Sequence, residues 1–337
     1  MAVTGSTGMI GSHLVAEMVR RGYISIVLPV RSRGRIGNLR RTFERVGVEW
    51  PENGTLTIVE TGLTDPATLT EVFRGVDTVI NCAGTIMTGD MTEQQLIDNN
   101  VAVSRSVSEA AVAAGVRRII HTSSIIVLAP GGRGEPITEN NRAHGDHGSA
   151  YARSKYLADC EMQRAADAGI PLTTFYPAVV LGEGDWSMNG SSALIPVIAR
   201  GLPLYTEGVM AYADVRDVAR AYIAADRCQE AAGENFIVAG ECLTFRELIN
   251  LGAGAAGRRK PFIRVGKPLA MFIYGLIRFA TALRLIKDRG ITRSNIDSIL
   301  KGNRYSGEKL TKVCGFGYTP MKETVDRVVK AYLSEKK

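Results

Sequence analysis

The chain is poor in the residues that build metal centres and disulfide frameworks. Five cysteines (Cys82, Cys160, Cys228, Cys242 and Cys314) and four histidines are scattered over 337 residues. No C-x-x-C pair occurs and the cysteine count is odd, so neither a zinc ribbon nor a stapled secreted scaffold is predicted, and no metal site. Unpaired thiols fit a reducing compartment. The chain also opens into a glycine motif rather than an apolar leader, so the expected location is the cytoplasm. Long apolar runs are missing as well. "PLAMFIYGLI" (268–277) is ended by Arg278 and is too short to cross a bilayer, so no integral membrane segment is expected. With the following "RFATALRLIKDR" it makes a basic amphipathic stretch, 268–286. This reads as a domain-packing helix or substrate wall, with peripheral contact to a membrane surface as the alternative. Acidic residues are absent from one particular place: none lies between Glu17 and Glu44.

What is present is an ordinary folded composition, 45% apolar and 22% charged. The net charge of +7 is dispersed apart from one cluster, Arg31, Arg33 and Arg35, and no nucleic-acid surface is predicted. Short β-branched runs alternate with helical stretches. "MAVTG", "YISIVLPV", "TLTIVET", "DTVINCAG", "RRIIHTSS" and "PLTTFYPAVV" read as strands, and 10–21, 67–74, 93–114 and 150–168 as helices. Such alternation implies a parallel sheet with helices on both faces. Pro29 is awkward inside a strand, and the second strand is expected to end near Leu28. After Val180 the pattern loosens into a loop, "LGEGDWSMNGSS", whose Trp186 and Met188 suit an apolar ligand or simple packing.

Directly after the first strand, "TGSTGMIGSHL" places Gly5, Gly8 and Gly11 at the entrance of a helix. Glycines there permit a tight turn and close backbone approach to a pyrophosphate, and the helix N-terminus offers free N–H groups. The fold predicted is α/β, a Rossmann-type doubly wound parallel sheet with a smaller, mainly helical C-terminal substrate region. The nucleotide-binding unit is placed at 1–180, with 212–240 returning to it. The substrate-binding region is placed at 181–211 and 241–337. An acid after the second strand would read the ribose 2′-hydroxyl of NAD. Arg31 and Arg33 stand there instead, and guanidinium suits the 2′-phosphate of NADP. NADP is therefore the expected cofactor, with NAD as the alternative.

Tyr and Lys occur four apart at Tyr151/Lys155, Tyr305/Lys309, Tyr318/Lys322 and Tyr332/Lys336. On a helix this spacing puts both side chains on one face, where an ammonium would favour the phenolate and lower the tyrosine pKa. The spacing alone does not choose among the four pairs, and a surface Tyr with a solvated Lys satisfies it equally.

These segments together resemble the extended branch of the short-chain dehydrogenase/reductase superfamily, the NAD(P)-dependent epimerase/dehydratase family. "TGSTGMIG" is similar to its T-G-x-x-G-x-x-G, "DTVINCAG" to its fourth strand and "NNVAVSRSVSEAA" to its asparagine helix, with Asn100 at the motif position. "HTSS" resembles the serine strand with Ser124 at the catalytic place, and "YARSK" follows with Tyr151 27 residues on. "FYPAVVLG" and "GEKLTKVCGFGYTP" are similar to the strand bordering the nicotinamide and to the C-terminal signature. The resemblance singles out Tyr151 as acid/base, Lys155 as its activator and ribose ligand, and Ser124 as oxyanion donor, with Ser123 as the fallback. It implies cofactor contacts at Gly5, Thr7, Gly8, Met9, Ile10, Gly11, Arg31, Arg33, Leu63, Cys82, Ala83, Gly84, Tyr151, Lys155, Pro177 and Val179. Three positions depart from the pattern: Gly62 replaces the Asp near adenine, Tyr176 an Arg beside the nicotinamide, and Met210 the Arg that clamps a sugar-nucleotide diphosphate. The similarity is greatest to the dihydroflavonol-reductase-like and 3β-hydroxysteroid-dehydrogenase-like branch, although the overall pattern also looks close to proteins labelled hopanoid-associated sugar epimerases. The expected activity is an NADP-dependent oxidoreduction between a carbonyl and a secondary alcohol on a bulky, mainly apolar small molecule. A nucleotide-sugar epimerase or dehydratase is the alternative, and a non-catalytic cofactor sensor the third reading. The expected partner is that small molecule, with room for a homodimer.

Overall fold

The computed structural model describes residues 1–335 apart from 53, 88–90, 133, 142–147, 185–189, 283–299 and 301. Its strands are β1 (Ala2–Thr4), β2 (Ile26–Val30), β3 (Leu56–Glu60), β4 (Thr78–Asn81), β5 (Arg118–Thr122), β6 (Leu172–Pro177), β7 (Val179–Leu181), β8 (Leu204–Tyr205), β9 (Val209–Asp214), β10 (Asn235–Val238), β11 (Glu241–Thr244) and β12 (Ile263–Arg264). The helices are α1 (Met9–Arg20), α2 (Ile36–Val46), α3 (Pro66–Phe73), α4 (Glu93–Ala113), α5 (Ala150–Asp167), α6 (Leu194–Arg200), α7 (Val215–Arg227), α8 (Phe245–Ala255), α9 (Lys267–Ala282), α10 (Glu308–Cys314) and α11 (Met321–Ser334).

Seven strands form one parallel sheet in the order β3-β2-β1-β4-β5-β6-β10. The chain starts in the middle, winds out to β3, then crosses back and winds out to β10. The direction reverses between β1 and β4, which opens a crevice beyond their C-terminal ends. One apolar layer joins Leu14 and Met18 of α1, Phe43 of α2 and Tyr222 of α7 to the sheet. The opposite layer holds Phe73 of α3, Val107 of α4 and Met162 of α5. Strands buried on both faces explain why β1 and β4 carry no exposed residue. Local signals set the helix starts that matter below. Thr92 and Gln95 close a capping box on α4, and Ser149 caps α5 by accepting from the Ala152 N–H at 3.1 Å.

Two segments differ from the sequence reading. "PLTTFYPAVV" is two strands, not one. At Ala178, whose N–H donates to the Val238 carbonyl at 3.0 Å, the chain leaves the main sheet, and Val179 pairs with Tyr212 in a second one. That second sheet, β7-β9-β11, has an antiparallel β9/β11 pair. With α6, α8 and α11 it encloses a separate cluster of Leu181, Ile198, Tyr212, Leu248, Met321 and Val325. Pro29 lies inside β2, opposite Val59 of β3. Because the Val27 N–H points to the Met1 carbonyl on the β1 side, the proline nitrogen two residues on faces that side too. There β1 pairs with β2 at only one register, Ala2 with Val27, before turning into the glycine loop, so little ladder is lost. Trp186, Met188 and 283–286 lie outside the described residues.

Candidate functional site

The glycine loop is built by close backbone approach. Gly5 has φ +68°, and a Cβ there would stand 2.6 Å from the Cys82 carbonyl carbon and oxygen and 2.7 Å from the Ala83 nitrogen. The turn after β1 therefore lies directly against the segment Cys82-Ala83 after β4. A Cβ on Gly11 would stand 2.3 Å from the Gly5 oxygen, so the first turn of α1 rests on the loop itself. Gly8 donates to that same oxygen at 3.0 Å and caps α1 without any side-chain cap. The first-turn N–H groups of Met9, Ile10 and Gly11 thus face the crevice side of the loop with the positive end of the helix. A cradle that any side chain would fill, closed by an uncapped helix N-terminus, fits the pyrophosphate of a dinucleotide.

Beyond β2, Arg31 and Arg33 differ in what they touch. Arg33 reaches the Ile58 carbonyl at 3.4 Å and Glu60 at 3.8 Å, at the end of neighbouring β3. Arg31 is exposed and makes no ion pair among the described residues. Ser32 accepts from the Gly34 N–H at 3.3 Å and opens the short 3-10 turn Arg33–Arg35. Leu63 is half-buried against the α3/α4 layer.

At the end of β5, Ser124 caps a 3-10 turn by accepting from the Ile126 N–H at 3.3 Å, and its hydroxyl lies near enough to the Tyr151 phenol to favour the ionised form. Lys155, one turn along α5 from Tyr151, is buried. Its Nζ donates to the Thr122 carbonyl at 2.7 Å and stands 3.4 Å from where a Cβ on Gly84 would be. The structure thus gathers Ser124, Tyr151, Lys155 and Gly84 beside the glycine cradle. The expected pKa direction for Tyr151 is corrected. Burial raises it, the Ser124 hydrogen bond opposes that, and the Asp159 charge adds to the rise. Lys155 aims at a backbone carbonyl, and its own pKa is lowered by burial against the pull of Asp159. Burial also pushes the Cys82 thiol up to about 12, so this cysteine is a neutral wall residue.

A buried polar chain missed in the sequence supports these groups. Ser123 donates to Asp159 Oδ2 at 2.6 Å, which commits it away from Tyr151 and removes its claim as a substitute for Ser124. His121 Nε2 lies 3.1 Å from Asp159 Oδ1, and Asn81 Nδ2 lies 3.2 Å from His121 Nδ1. Asn81 Oδ1 accepts from Thr4 at 2.6 Å and from the Ala83 N–H at 3.2 Å. An amide nitrogen only donates, so His121 accepts at Nδ1, carries its proton on Nε2 and donates from there to the Asp159 carboxylate. The chain links β1, β4, β5 and α5 in a single hydrogen-bond direction. One signal was readable: Asp159 is four residues beyond Lys155 on the same helix face. Asn100, at the motif position, makes a second brace. It accepts from the Thr85 N–H at 2.7 Å, donates to the Thr85 carbonyl at 3.0 Å and to Ser154 Oγ at 2.9 Å.

Pro177 and Val179 flank the point where the chain leaves the main sheet, and Tyr176 is buried in the main core. Met210 pairs with Leu243 and lies against the cluster of Tyr212 and Leu248. The nearby Arg216 is committed: its Nε donates to Glu183 at 3.1 Å, and Arg327 bridges Glu183 and Asp214. Burial works to raise the Glu183 pKa, but Arg327 and Arg216 outweigh it and hold the carboxyl at about 2. No group of three or more His, Cys, Asp or Glu side chains among the described residues is placed to hold a metal ion. No described helix is long and apolar enough to cross a membrane.

Comparison with known proteins agrees in kind with this arrangement. The model of a family described as the NAD-dependent epimerase/dehydratase family matches residues 1–239. Sterol demethylase protein B of Methylococcus capsulatus is 25% identical over 265 residues, covering 78% of this chain and 76% of that protein. A putative dihydroflavonol 4-reductase of Synechocystis is 25% identical over 252 residues, 73% of this chain and 69% of the relative. A UDP-glucose 4-epimerase of Neisseria meningitidis is 31% identical over 161 residues, less than half of either chain at 47% and 45%. Among solved structures, yeast methylglyoxal/isovaleraldehyde reductase Gre2 complexed with NADPH superposes with a TM-score of 0.75 at 18% identity, covering 99% of this chain and 98% of that one. The last likeness concerns the fold.

Proposed function

Because the chain belongs to the NAD-dependent epimerase/dehydratase family, we propose that it is an NADP-dependent oxidoreductase interconverting a carbonyl and a secondary alcohol on a bulky, mainly apolar molecule. The observation that carries this reading is the pairing of the Ser124 and Tyr151 hydroxyls beside buried Lys155, at the mouth of the glycine cradle. The dinucleotide, when bound, supplies or accepts the hydride. Everything else falls to the chain. The N–H groups of Met9, Ile10 and Gly11 hold the pyrophosphate, and Arg31 takes the 2′-phosphate. Cys82, Ala83 and Gly84 form the wall between the two loops, and Leu63 borders the adenine. Lys155 turns to the ribose, with Pro177 and Val179 behind the nicotinamide. Tyr151 exchanges its proton with the substrate oxygen, and Ser124 donates a hydrogen bond to that oxygen as charge develops on it. A phenol kept protonated by burial is set to give its proton to a forming alkoxide.

The apolar substrate class draws support from two features. Met210 stands where a diphosphate clamp is expected, and Arg216 is already engaged by Glu183. Two relatives bear the names of ring systems, a sterol and a dihydroflavonol. In this reading 1–180 with 212–240 forms the nucleotide-binding unit, and 181–211 with 241–337 the substrate side. The epimerase relative favours a second reading, a nucleotide-sugar epimerase or dehydratase. Incubation of the protein with NADPH and a panel of aromatic and alicyclic ketones, followed by NADPH absorbance, tests the first. Consumption of one NADPH per alcohol formed is expected, and Tyr151→Phe should abolish it while NADPH binding persists. Conversion of a nucleotide sugar with no net change in cofactor would replace the first reading by the second.

A further inference from the structure

We propose that the segment from Arg258 to Ile277 is a peripheral docking surface for an anionic lipid bilayer. Five large apolar side chains stand exposed within it: Phe262 (73%), Ile263 (39%), Leu269 (37%), Phe272 (64%) and Leu276 (53%). They make up five of the nine exposed large hydrophobics among the described residues, and the other four, Ile24, Met87, Val112 and Ile126, are dispersed along the chain. Isolated exposed apolar residues are ordinary, whereas a contiguous group marks a contact surface. Leu269, Phe272 and Leu276 follow the i, i+3, i+7 spacing of one face of α9. Phe262 and Ile263 precede it on β12 and its approach. That strand is held by its backbone: the Phe262 and Ile263 N–H groups donate to the Pro203 carbonyl at 2.9 and 2.8 Å, and Val265 donates to Tyr205 at 2.8 Å. The apolar side chains are therefore not what fastens the segment to the fold, and they remain turned to solvent.

Charge selects the occupant. Arg258, Arg259, Lys260, Arg264 and Lys267 are all exposed within the same segment, and no acidic residue occurs between Glu247 and Asp288 in the sequence. A cationic rim around an apolar face is complementary to anionic headgroups over an acyl interior. A second copy of the chain fits poorly, since a two-fold contact would set this acid-free rim against itself. No described helix is long and apolar enough to cross a membrane, and in this proposal α9 lies in the interface. The inference does not depend on the substrate or on the catalytic reading, and cofactor binding reports on those separately.

The test is co-sedimentation of the full chain with vesicles of phosphatidylcholine alone and of phosphatidylcholine with phosphatidylserine. Binding to the anionic vesicles only, released by high salt, is expected. Each Lys or Arg near such a surface contributes roughly fivefold, so R258Q/R259Q/K260Q should weaken binding on the order of 100-fold. Phe272→Ser with Leu276→Ser should weaken it even at low salt, while both variants keep the wild-type thermal transition and NADPH affinity. Three results would each overturn the proposal: no binding to anionic vesicles at low ionic strength, equal binding by wild type and both variants, or a concentration-dependent dimer that dissociates in the Phe272/Leu276 variant.

Discussion

Gly5→Ala is the sharpest test of how the cradle is built, because Gly22 provides a matched control. Both glycines have positive φ, +68° and +80°. An alanine in that region costs about 1–2 kcal/mol at either place, and the gain from a stiffer unfolded chain, about 0.4–1 kcal/mol, is likewise shared. The difference lies in the surroundings. A Cβ at Gly22 meets nothing within 4 Å, whereas at Gly5 it meets the Cys82 carbonyl at 2.6 Å and the Ala83 nitrogen at 2.7 Å. All three atoms it meets are backbone, so no side chain can rotate away. Overpacking of this kind costs typically about 1–3 kcal/mol. For 337 residues the unfolding entropy is about 0.7 kcal/mol per degree, so Gly5→Ala should melt roughly 1.5–4 °C below Gly22→Ala. Relief of the clash moves the loop off Ala83 and spoils the pyrophosphate cradle, so NADPH affinity should fall at least about tenfold in Gly5→Ala only. Differential scanning calorimetry and fluorescence titration of NADPH measure both. Equal melting temperatures and equal affinities for the two variants would refute the close-approach argument.

His13 is held down to about 4 from an ordinary 6.5 by burial, with its Nδ1 hydrogen-bonded to the Met9 carbonyl at 3.1 Å. The unfolded chain takes up this proton first as pH falls, so stability should drop by about 3 kcal/mol between pH 6.5 and 4, and His13→Asn should flatten that slope in urea titrations across the range. Arg31→Asp should lower NADPH affinity about 10- to 150-fold, the loss of one charge-assisted hydrogen bond. Arg33→Asp should have less effect because Arg33 already leans on Glu60 and Ile58; equal losses would contradict this division. Asp159→Asn removes a charge that raises the pKa of both Tyr151 and Lys155, so the basic limb of the pH–rate profile should move to lower pH, and an unmoved profile would show that Asp159 acts only as a brace.

What was readable in the sequence was what depends on neighbours along the chain. The glycine loop, the strand–helix alternation and the Tyr151/Lys155 spacing are local patterns, and Ser149 and Gly169 bracket α5 as turn chemistry dictates. The missed features are set by residues far apart. The break at Ala178 divides an unbroken apolar run, and only the pairing of Val179 with Tyr212 reveals it. The polar chain from Thr4 to Asp159 joins positions 77, 40 and 38 residues apart, so no window along the sequence contains two of its members in contact. Glu60 approaches Arg33 only because β3 lies beside β2, although no acid lies near Arg33 in sequence. The pKa of Tyr151 went against the local expectation for the same reason. Spacing places a lysine nearby, but burial is a property of the whole fold, and it acts first.

Burial alone favours the neutral form of both Tyr151 and Lys155, since it raises a phenol and lowers an amine. Asp159 breaks that symmetry. Its charge opposes burial at Lys155, favouring the ammonium, and reinforces burial at Tyr151, favouring the phenol. The carboxylate is held for this role by Ser123 and His121, both donating to it. Among the described residues Ser124 acts the other way on the phenol, its hydroxyl favouring the phenolate. In the proposed reaction a substrate carbonyl between the two hydroxyls would draw the Ser124 hydrogen bond to itself. Tyr151 then loses the contact that favoured its phenolate and keeps its proton until the substrate oxygen becomes basic enough to take it. The same shift places the Ser124 donor on the oxygen where negative charge gathers. In that proposed reaction a single hydroxyl that changes partners would serve first to set the acid and then to stabilise the product of its proton transfer. Replacing Ser124 by Ala should therefore lower kcat more than it weakens cofactor binding.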